Sequence, residues 1–333
     1  MRVGGKTGHE QNSEQIFHPR SSSIMGERLR RISFDATTFR DPTPTFDTVT
    51  TYHYRLLNVF AESTFGGNPL CVIEDARGMD DATMHALTVQ FNLSETTFVL
   101  PSEHAHARVR IFTPGYEMRF AGHPALGTAH VVRALTGAGD DLSLEFNAGV
   151  VPLRAEGDVW RFAAPGGAAP KIDPVDVPPA DIAALFGLDA DDLLDAPQWV
   201  DTGAHQLLVP LRSVEAVRKA QPNAALLDRW PLNSLSRRTA YLFACDAERP
   251  NTIVTRYFLV RPEGGVAEDP GTGSACANLG GWWRGQGKDV PVHLHVEQGD
   301  AIGRPSRLQL WVDAEGVYVG GRVIELGRGA VTL

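Results

Sequence analysis

Short apolar runs, separated by polar and glycine-rich turns, follow one another along most of this chain. Runs of this kind that are bounded by turn residues predict β-strands. They cover residues 55–60, 70–73, 109–112, 142–146, 149–154, 159–162, 198–209, 240–245, 252–259, 292–296, 307–312 and 316–319. Residues 81–91 differ, because Met84 and Leu87 recur at helical spacing and so predict a helix. Many strands with few helices are typical of an α+β protein.

Residues 110–129 and residues 256–275 form two similar stretches that align without a gap. Each predicts a strand, a turn and then a helix. The first helical residue would be a proline, Pro124 or Pro270, because a proline loses no hydrogen bond at that position. The repeat predicts two similar halves in one chain, with both helix starts directed at one shared cleft.

The aligned stretches differ at one titratable pair, where His123 aligns with Asp269. A helix start offers free N–H groups and a partial positive charge, which suit a carboxylate or an enolate. A lone histidine is usually structural, and an aspartate before a proline often caps a helix. The repeat makes both residues candidates for shared chemistry. Beside them, Gly122, Gly273 and Ser274 could approach or hydrogen-bond a bound anion.

Glu95 is a further candidate, at the junction between the predicted helix and the strand-like run that follows it. The flanking Leu93 and Phe98 could keep its carboxyl partly desolvated. Desolvation raises the pKa of a carboxyl toward a range that is useful for proton transfer. The alternative is a solvated glutamate at a helix end.

The net charge of −9 over 333 residues argues against a nucleic-acid partner, because such proteins need a basic face. No apolar run is long enough to cross a membrane, and no signal peptide precedes the predicted strands. The three cysteines are few and odd in number, which fits a reducing cytoplasm. We therefore expect a cytoplasmic protein without a membrane or nucleic-acid partner.

Cofactor and metal motifs are absent from the sequence. It contains no nucleotide-binding glycine loop and no nucleophile elbow. His293 and His295 share one strand face, but no third ligand is suggested nearby. The sequence therefore predicts proton transfer without a cofactor or a metal.

Two segments differ in composition from the rest of the chain. Residues 1–52 are polar and rich in Ser, Thr, Pro and Arg, which predicts a disordered extension. Residues 166–179 are rich in Pro, Gly and Ala and predict a linker between a first domain, 53–167, and a second domain, 168–333.

Several motifs together resemble the PhzF-like isomerase family of phenazine biosynthesis. They occur in order between about residue 55 and the end of the chain. The motifs are Gly67-Asn68-Pro69, Asn92-Leu-Ser-Glu-Thr-Thr-Phe98, Phe120-Ala-Gly-His-Pro124 with Leu126-Gly-Thr-Ala129, Glu268-Asp-Pro-Gly-Thr-Gly-Ser-Ala275, and the tail segments 298–306 and 327–333.

The resemblance implies a diaminopimelate-epimerase-like fold. This fold has two pseudo-symmetric domains, each a β-barrel-like sheet around a central helix, and an active site in the cleft between them. The last strand would pair within the second domain or return to the first. The resemblance also implies a homodimer and a small-molecule carboxylate substrate.

The resemblance implies site residues as well. Glu95 falls on the acid/base glutamate, with His123 and Asp269 as its catalytic partners. The positions implied for substrate binding are Gly122, Gly273, Ser274, Asn68, Gly203 and His205.

The implied activity is a cofactor-independent isomerisation that moves a proton on a small unsaturated carboxylate, as in trans-2,3-dihydro-3-hydroxyanthranilate isomerase. An amino-acid or hydroxyproline-type epimerase is one alternative. Diaminopimelate epimerase needs two cysteines, however, and Ala121 and Pro270 stand at those places. A homologue that binds a small ligand without turning it over is the other alternative.

Overall fold

The computed structural model describes residues 49–261 and 264–333. Most of the predicted extension, residues 1–52, therefore lies outside the described residues. Its last residues do not, because Thr51 and Tyr52 begin the first strand. Tyr52 is only 8% exposed and belongs to an apolar cluster, so the disorder predicted there is wrong for these two residues.

The described chain folds into seventeen strands, five α-helices and three short 3-10 helices. The elements up to the middle of the chain are β1 Thr51–Val59, β2 Asn68–Ile73, α1 Asp81–Phe91, β3 Thr96–Leu100, β4 Ala107–Phe112, β5 Glu117–Met118, α2 Gly122–Thr136, β6 Asp141–Phe146, β7 Gly149–Glu156 and β8 Val159–Ala163.

The remaining strands and α-helices are β9 Lys171–Pro174, α3 Pro179–Leu185, β10 Gln198–Asp201, β11 His205–Pro210, α4 Val214–Lys219, β12 Thr239–Cys245, β13 Thr252–Val260, β14 Val266–Asp269, α5 Gly273–Gly285, β15 Val292–Gln298, β16 Ser306–Val312 and β17 Val317–Thr332. The 3-10 helices are Ala190–Asp192, Ala224–Arg229 and Asp300–Ile302.

The first half closes into a barrel of eight strands. The order is β1, β2, β3, β4, β6, β7, β8 and β17, and β17 pairs back onto β1. The β2–β3 and β4–β6 pairs are parallel, whereas the other pairs are antiparallel. A closed sheet leaves no exposed strand edge.

The second half repeats this order in β10, β11, β12, β13, β15 and β16, again with parallel pairs at β11–β12 and β13–β15. The long strand β17 joins the two halves. Its first residues pair with β16, and Tyr318 also pairs with Ala163 of β8. Its last residues pair with β1, up to Thr332 beside Thr51. The α+β fold with two barrel-like halves is confirmed, while the domain boundary after residue 167 stays a prediction.

One helix fills the interior of each half: α2 packs against β1, β2 and β17, and α5 against β16, β17 and β10. Close contact with the surrounding strands explains the small residues in both helices. A Cβ added at Gly127 would lie 2.5 Å from Leu70 Cδ2, and one at Gly280 would lie 2.5 Å from Val317 Cγ1. Larger side chains would push the helix off the sheet.

Two sequence predictions are corrected here. The predicted linker, residues 166–179, contains the strand Lys171–Pro174, which pairs with β10. Neither predicted proline opens its helix: Pro124 is the third residue of α2, and Pro270 precedes the cap of α5, Thr272. Gln298 Nε2 donates to the Asp269 carbonyl over 2.8 Å, and Gln298 Oε1 accepts from the Thr272 N–H over 3.2 Å. These two hydrogen bonds hold the loop between Asp269 and Thr272 outside the helix.

Candidate active site

The two central helices begin at the same place in the molecule. A Cβ added at Gly122, the first residue of α2, would lie 3.5 Å from the Cα of Gly273, the first residue of α5. The same Cβ would lie 3.0 Å from Phe162 Cζ. The distance to Gly273 is an ordinary contact, whereas the distance to Phe162 is tight, so a glycine at position 122 makes room for the Phe162 ring. The N-termini of α2 and α5 therefore lie side by side. Each has free N–H groups and a partial positive charge.

Glu95 lies between α1 and β3, beside these helix starts. Its side chain is 15% exposed, and Oε2 has no hydrogen-bond partner among the described residues. Burial raises the pKa of the Glu95 carboxyl to about 7, and a hydrogen bond with Ser94 opposes this rise only in part. Near neutral pH this carboxyl can both accept and release a proton.

His123, the second residue of α2, faces that carboxyl. Its Nε2 atom lies 3.3 Å from Glu95 Oε2 and is likewise buried without a hydrogen-bond partner in the described part of the chain. Burial lowers the pKa of His123 to about 4, although the nearby Asp269 charge opposes this change. His123 is therefore neutral at pH 7 and can donate or accept one hydrogen bond.

Asp269, the last residue of β14, belongs to the same cluster. Burial first, and the Glu95 charge second, raise the pKa of its carboxyl, while hydrogen bonds from Thr272 and Asn68 lower it in part. The Thr272 hydroxyl donates to Asp269 Oδ2. The structural alternative for Asp269 was a helix N-cap, and it is wrong because Thr272 occupies that position.

Asn68 connects the two halves at the centre of the cluster. Its side-chain nitrogen donates to Asp269 Oδ1 over 3.1 Å and to the Gly271 carbonyl over 2.9 Å. The same nitrogen lies 3.3 Å from His123 Nδ1. Asn68 is fully buried, so these contacts fix the relative positions of Asp269 and His123.

Ser274, the second residue of α5, is joined to a separate polar network in the second half. The Gln206 side chain donates to Ser274 Oγ and to the Tyr257 hydroxyl, each over 3.1 Å. Asn278 in turn donates to Gln206 Oε1 over 2.8 Å. Burial raises the pKa of Tyr257 to about 12, so its hydroxyl stays protonated at neutral pH.

Gly203 and His205 make contacts elsewhere. The Gly203 N–H donates to Asp201, while His205 stacks on Trp199 and accepts from the Ser234 N–H over 3.0 Å. Among the described residues, no hydrogen bond or ion pair joins either of them to the other predicted site residues. Their predicted role in substrate binding stays a prediction.

Neither buried cysteine is suited to proton transfer. Burial raises the pKa of Cys71 to about 12 and raises that of Cys276 further. The parts of the chain that the structure describes also contain no group of three or more His, Cys, Asp or Glu side chains able to hold a metal ion.

A family model described as phenazine biosynthesis-like protein, PhzC-PhzF, matches residues 57–329. The chain belongs to this PhzC-PhzF family. A curated relative from Pasteurella multocida, named an uncharacterised isomerase, is 39% identical over 284 residues, which cover 84% of this chain and 94% of the relative. The trans-2,3-dihydro-3-hydroxyanthranilate isomerase of Pseudomonas aeruginosa is 32% identical over 289 residues, or 84% of this chain and 96% of that enzyme.

Among solved structures, a PhzF-family phenazine biosynthesis protein of Bacillus anthracis covers 85% of this chain and 100% of its own, with a TM-score of 0.74 at 24% identity. That likeness shows the fold alone. The curated PhzC-PhzF relatives are named isomerases, and the chain is an isomerase. No helix in residues 49–261 or 264–333 has the length and apolar character needed to cross a membrane.

The structure corrects the gapless alignment of the two halves of this PhzC-PhzF chain. Arg110 and Glu117 form a bidentate ion pair, and so do Arg256 and Glu268. Since the arginines correspond, the glutamates correspond as well, and the second hairpin is longer than the first.

The longer hairpin changes the match at the site. Gly122 then corresponds to Gly273, and His123 corresponds to Ser274. Asp269 has Met118 as its counterpart, since each lies one residue beyond the paired glutamate. The sequence match of His123 with Asp269 is therefore wrong.

Sequence reasoning missed several polar residues of the site. These are Gln206, Tyr257, Thr272 and Gln298. Gln298 stands in the tail motif 298–306 and Thr272 in the motif 268–275, so both were within recognised segments. Gln206 and Tyr257 carry no local signal, because their partners are distant in sequence.

Proposed function

We propose that this isomerase moves a proton on a small unsaturated carboxylate by general acid/base catalysis, without a cofactor. One observation supports this most directly. The Glu95 carboxyl, whose pKa burial raises to about 7, has an unbonded oxygen 3.3 Å from the unbonded Nε2 of a neutral His123. A carboxyl poised near the working pH suits proton removal and return.

In this proposal Glu95 takes a proton from a carbon next to an unsaturated system and returns it to another carbon on the same face. His123 and Asp269 hydrogen-bond the substrate and exchange protons with its heteroatoms. The facing helix starts at Gly122 and Gly273 stabilise the enolate-like charge that develops, since fixed dipoles need no reorganisation during the reaction.

The names of the relatives support a substrate class. The Pseudomonas aeruginosa relative is named for trans-2,3-dihydro-3-hydroxyanthranilate, a small unsaturated amino acid. We propose a substrate of that kind, and with it the sequence-predicted contacts at Asn68, Ser274, Gly203 and His205. A homodimer, a cytoplasmic location and a role in phenazine biosynthesis belong to the same proposal.

The test is turnover of trans-2,3-dihydro-3-hydroxyanthranilate in heavy water. Isomerisation predicts a moved double bond, with deuterium at the carbon that receives the proton. Deuterium at a stereocentre with inversion would instead indicate an epimerase. No exchange at all, for this compound and for a series of small carboxylates, would contradict a catalytic function.

A further inference from the structure

Arg237 and Tyr116 are in contact at a place that is here called the rim. Arg237 Nη1 donates to the Tyr116 hydroxyl over 2.6 Å, and the guanidinium carbon lies 4.2 Å from the centroid of the Tyr116 ring. Tyr116 lies in the turn between β4 and β5 of the first half, and Arg237 lies just before β12 of the second. The contact therefore bridges the two halves.

Tyr116 lies close in the fold to the proposed base. Thr96, the residue after Glu95, pairs with Phe112, and Phe112 also pairs with Glu117, the residue after Tyr116. Burial raises the pKa of its hydroxyl, Arg237 opposes that change, and the Glu95 charge adds to it. Tyr116 nevertheless stays 41% exposed. The bridge is thus partly exposed, in a turn that adjoins the strand following Glu95.

The loop that carries Arg237 has a fixed shape. Asn233 Oδ1 accepts from the N–H groups of Leu235 and Arg237, each over 2.9 Å, and its side-chain nitrogen donates to the His205 carbonyl over 3.1 Å. The Ser234 N–H donates to His205 Nδ1. These hydrogen bonds hold the backbone of Arg237 in place. The Arg237 side chain therefore starts from a fixed position, which lowers the entropy cost of binding a ligand.

Arg237 is a cation that donates to a phenol, the Tyr116 hydroxyl. No carboxylate of the described residues lies within 4.0 Å of its guanidinium. A guanidinium has five N–H donors and pairs best with a carboxylate, through two parallel charge-assisted bonds. A carboxylate ligand would therefore displace the Tyr116 hydroxyl readily.

The cluster itself disfavours an anionic ligand. Glu95 and Asp269 place two carboxyl groups there, and the Glu95 charge already raises the pKa of Asp269. Like charges disfavour one another, so the cluster is a poor place for a third negative charge. A cation at the rim offsets this repulsion while leaving the helix starts at Gly122 and Gly273 free for the charge that develops during reaction.

We propose that Arg237 is the specificity-determining residue that binds the substrate carboxylate, and that Tyr116 occupies its guanidinium until the substrate arrives. This inference rests on the proposed function, because it assumes a carboxylate substrate at the Glu95 cluster.

The test compares two planar probes by isothermal titration calorimetry near neutral pH: anthranilate, which carries the carboxylate, and anthranilamide, which is its neutral counterpart. The variant is Arg237→Gln. The control is Arg212→Gln, which removes the same charge from an arginine whose Nε donates to the Asp191 carbonyl, beyond the opposite end of β11. Tyr116→Phe removes the hydroxyl but keeps the ring.

We expect Arg237→Gln to weaken anthranilate binding at least about tenfold, because a charged hydrogen-bonded pair is lost, and to change anthranilamide binding less than about threefold. Arg212→Gln should match the wild type with both probes. Tyr116→Phe should bind anthranilate as tightly as the wild type or more tightly, because no hydroxyl competes for the guanidinium.

Three results would overturn the inference: anthranilate binding within about threefold of the wild type in Arg237→Gln, an equal loss of both probes, or no binding of anthranilate by the wild type. Turnover of trans-2,3-dihydro-3-hydroxyanthranilate, measured alongside, separates this inference from the function. A wild type that binds anthranilate through Arg237 but moves no proton would overturn the proposed function alone.

Discussion

Glu95 Oε2 and His123 Nε2 lie 3.3 Å apart, and neither atom has a hydrogen-bond partner among the described residues. Buried polar atoms are nearly always hydrogen-bonded, because an unmet donor or acceptor costs free energy. Two such atoms, side by side at two helix starts, are better explained by a ligand that bonds them than by fold stability.

We expect Glu95→Gln to lower kcat by about 10²- to 10⁴-fold, because an amide cannot take a proton from carbon. Ligand binding should change little, since the amide keeps the size of the side chain. Turnover of trans-2,3-dihydro-3-hydroxyanthranilate measures the effect, and Glu103→Gln, at an exposed residue of the following loop, is the matched control. Full turnover in Glu95→Gln would show that another group is the base.

The pH dependence of kcat/KM should report the Glu95 carboxyl. Burial raises its pKa to about 7, and only the ionised form can act as base. We therefore expect kcat/KM to fall as the pH drops below about 7 and to level off above it. The pKa of His123 is lowered to about 4, so the protonation of His123 should not contribute to the fall in kcat/KM near pH 7. If kcat/KM did not change between about pH 5 and pH 8, the range around the Glu95 pKa, Glu95 would not be the base.

Stability should respond to pH through the same residue. A carboxyl whose folded pKa is raised from 4.5 to about 7 contributes stability that is complete below pH 4.5 and is lost as the pH rises through 7. Glu95→Gln should therefore match the wild type at low pH and exceed its free energy of unfolding at pH 8 by on the order of 2–3 kcal/mol.

Urea denaturation of both proteins at several pH values measures that difference. His123 contributes a slope of the opposite sign, because its pKa is lowered and the stability it contributes is lost as the pH falls toward 4. This contribution is present in both proteins and largely cancels in the comparison. A difference that does not change with pH would contradict a raised pKa for Glu95.

Asn68→Ala should lower both stability and turnover. It leaves Asp269 Oδ1 and the Gly271 carbonyl without their donor, which costs about 1–3 kcal/mol for buried acceptors. Asn147→Ala is the control, because that exposed amide donates to Glu117 away from the site. Thermal unfolding and kcat measure the two effects, and equal losses in both variants would remove the special role of Asn68.

Gly122→Ala should disturb the packing of the start of α2 against Phe162. The added Cβ would lie 3.0 Å from Phe162 Cζ and 3.5 Å from Gly273 Cα, and overpacking of this kind costs about 1–3 kcal/mol. Gly139→Ala has no heavy atom within 4 Å of the added Cβ and should be tolerated. If Gly122→Ala kept the wild-type free energy of unfolding and kcat/KM, close packing of Gly122 against the Phe162 ring would not be required.

Local patterns were sufficient for most elements and for three candidate site residues, but not for the strand Lys171–Pro174. The spacing of apolar residues predicted the helix at residues 81–91 and most strands. When one face of a helix or strand is buried, apolar residues recur along the sequence at the period of that element. Glu95, His123 and Asp269 stood out through their neighbours and their motifs, and the structure brings them together.

The alignment of the two similar stretches without a gap led to one wrong residue match. It matched His123 with Asp269, whereas the two ion pairs with arginine show that the second hairpin is longer. An alignment without gaps cannot register a change in turn length. Only the hydrogen-bond register of the strands reveals it, since each cross-strand pair fixes which residues are opposite.

The sequence by itself determined the strand and helix periods, the two similar halves and the residue types available for proton transfer, because these depend on neighbours along the chain. The tertiary structure alone decided that Glu95 and His123 are buried face to face, that Asn68 joins the halves, and that β17 closes the first barrel. The physical reason is that a pKa depends on desolvation and nearby charge, and both arise from groups far apart in the chain that folding brings together.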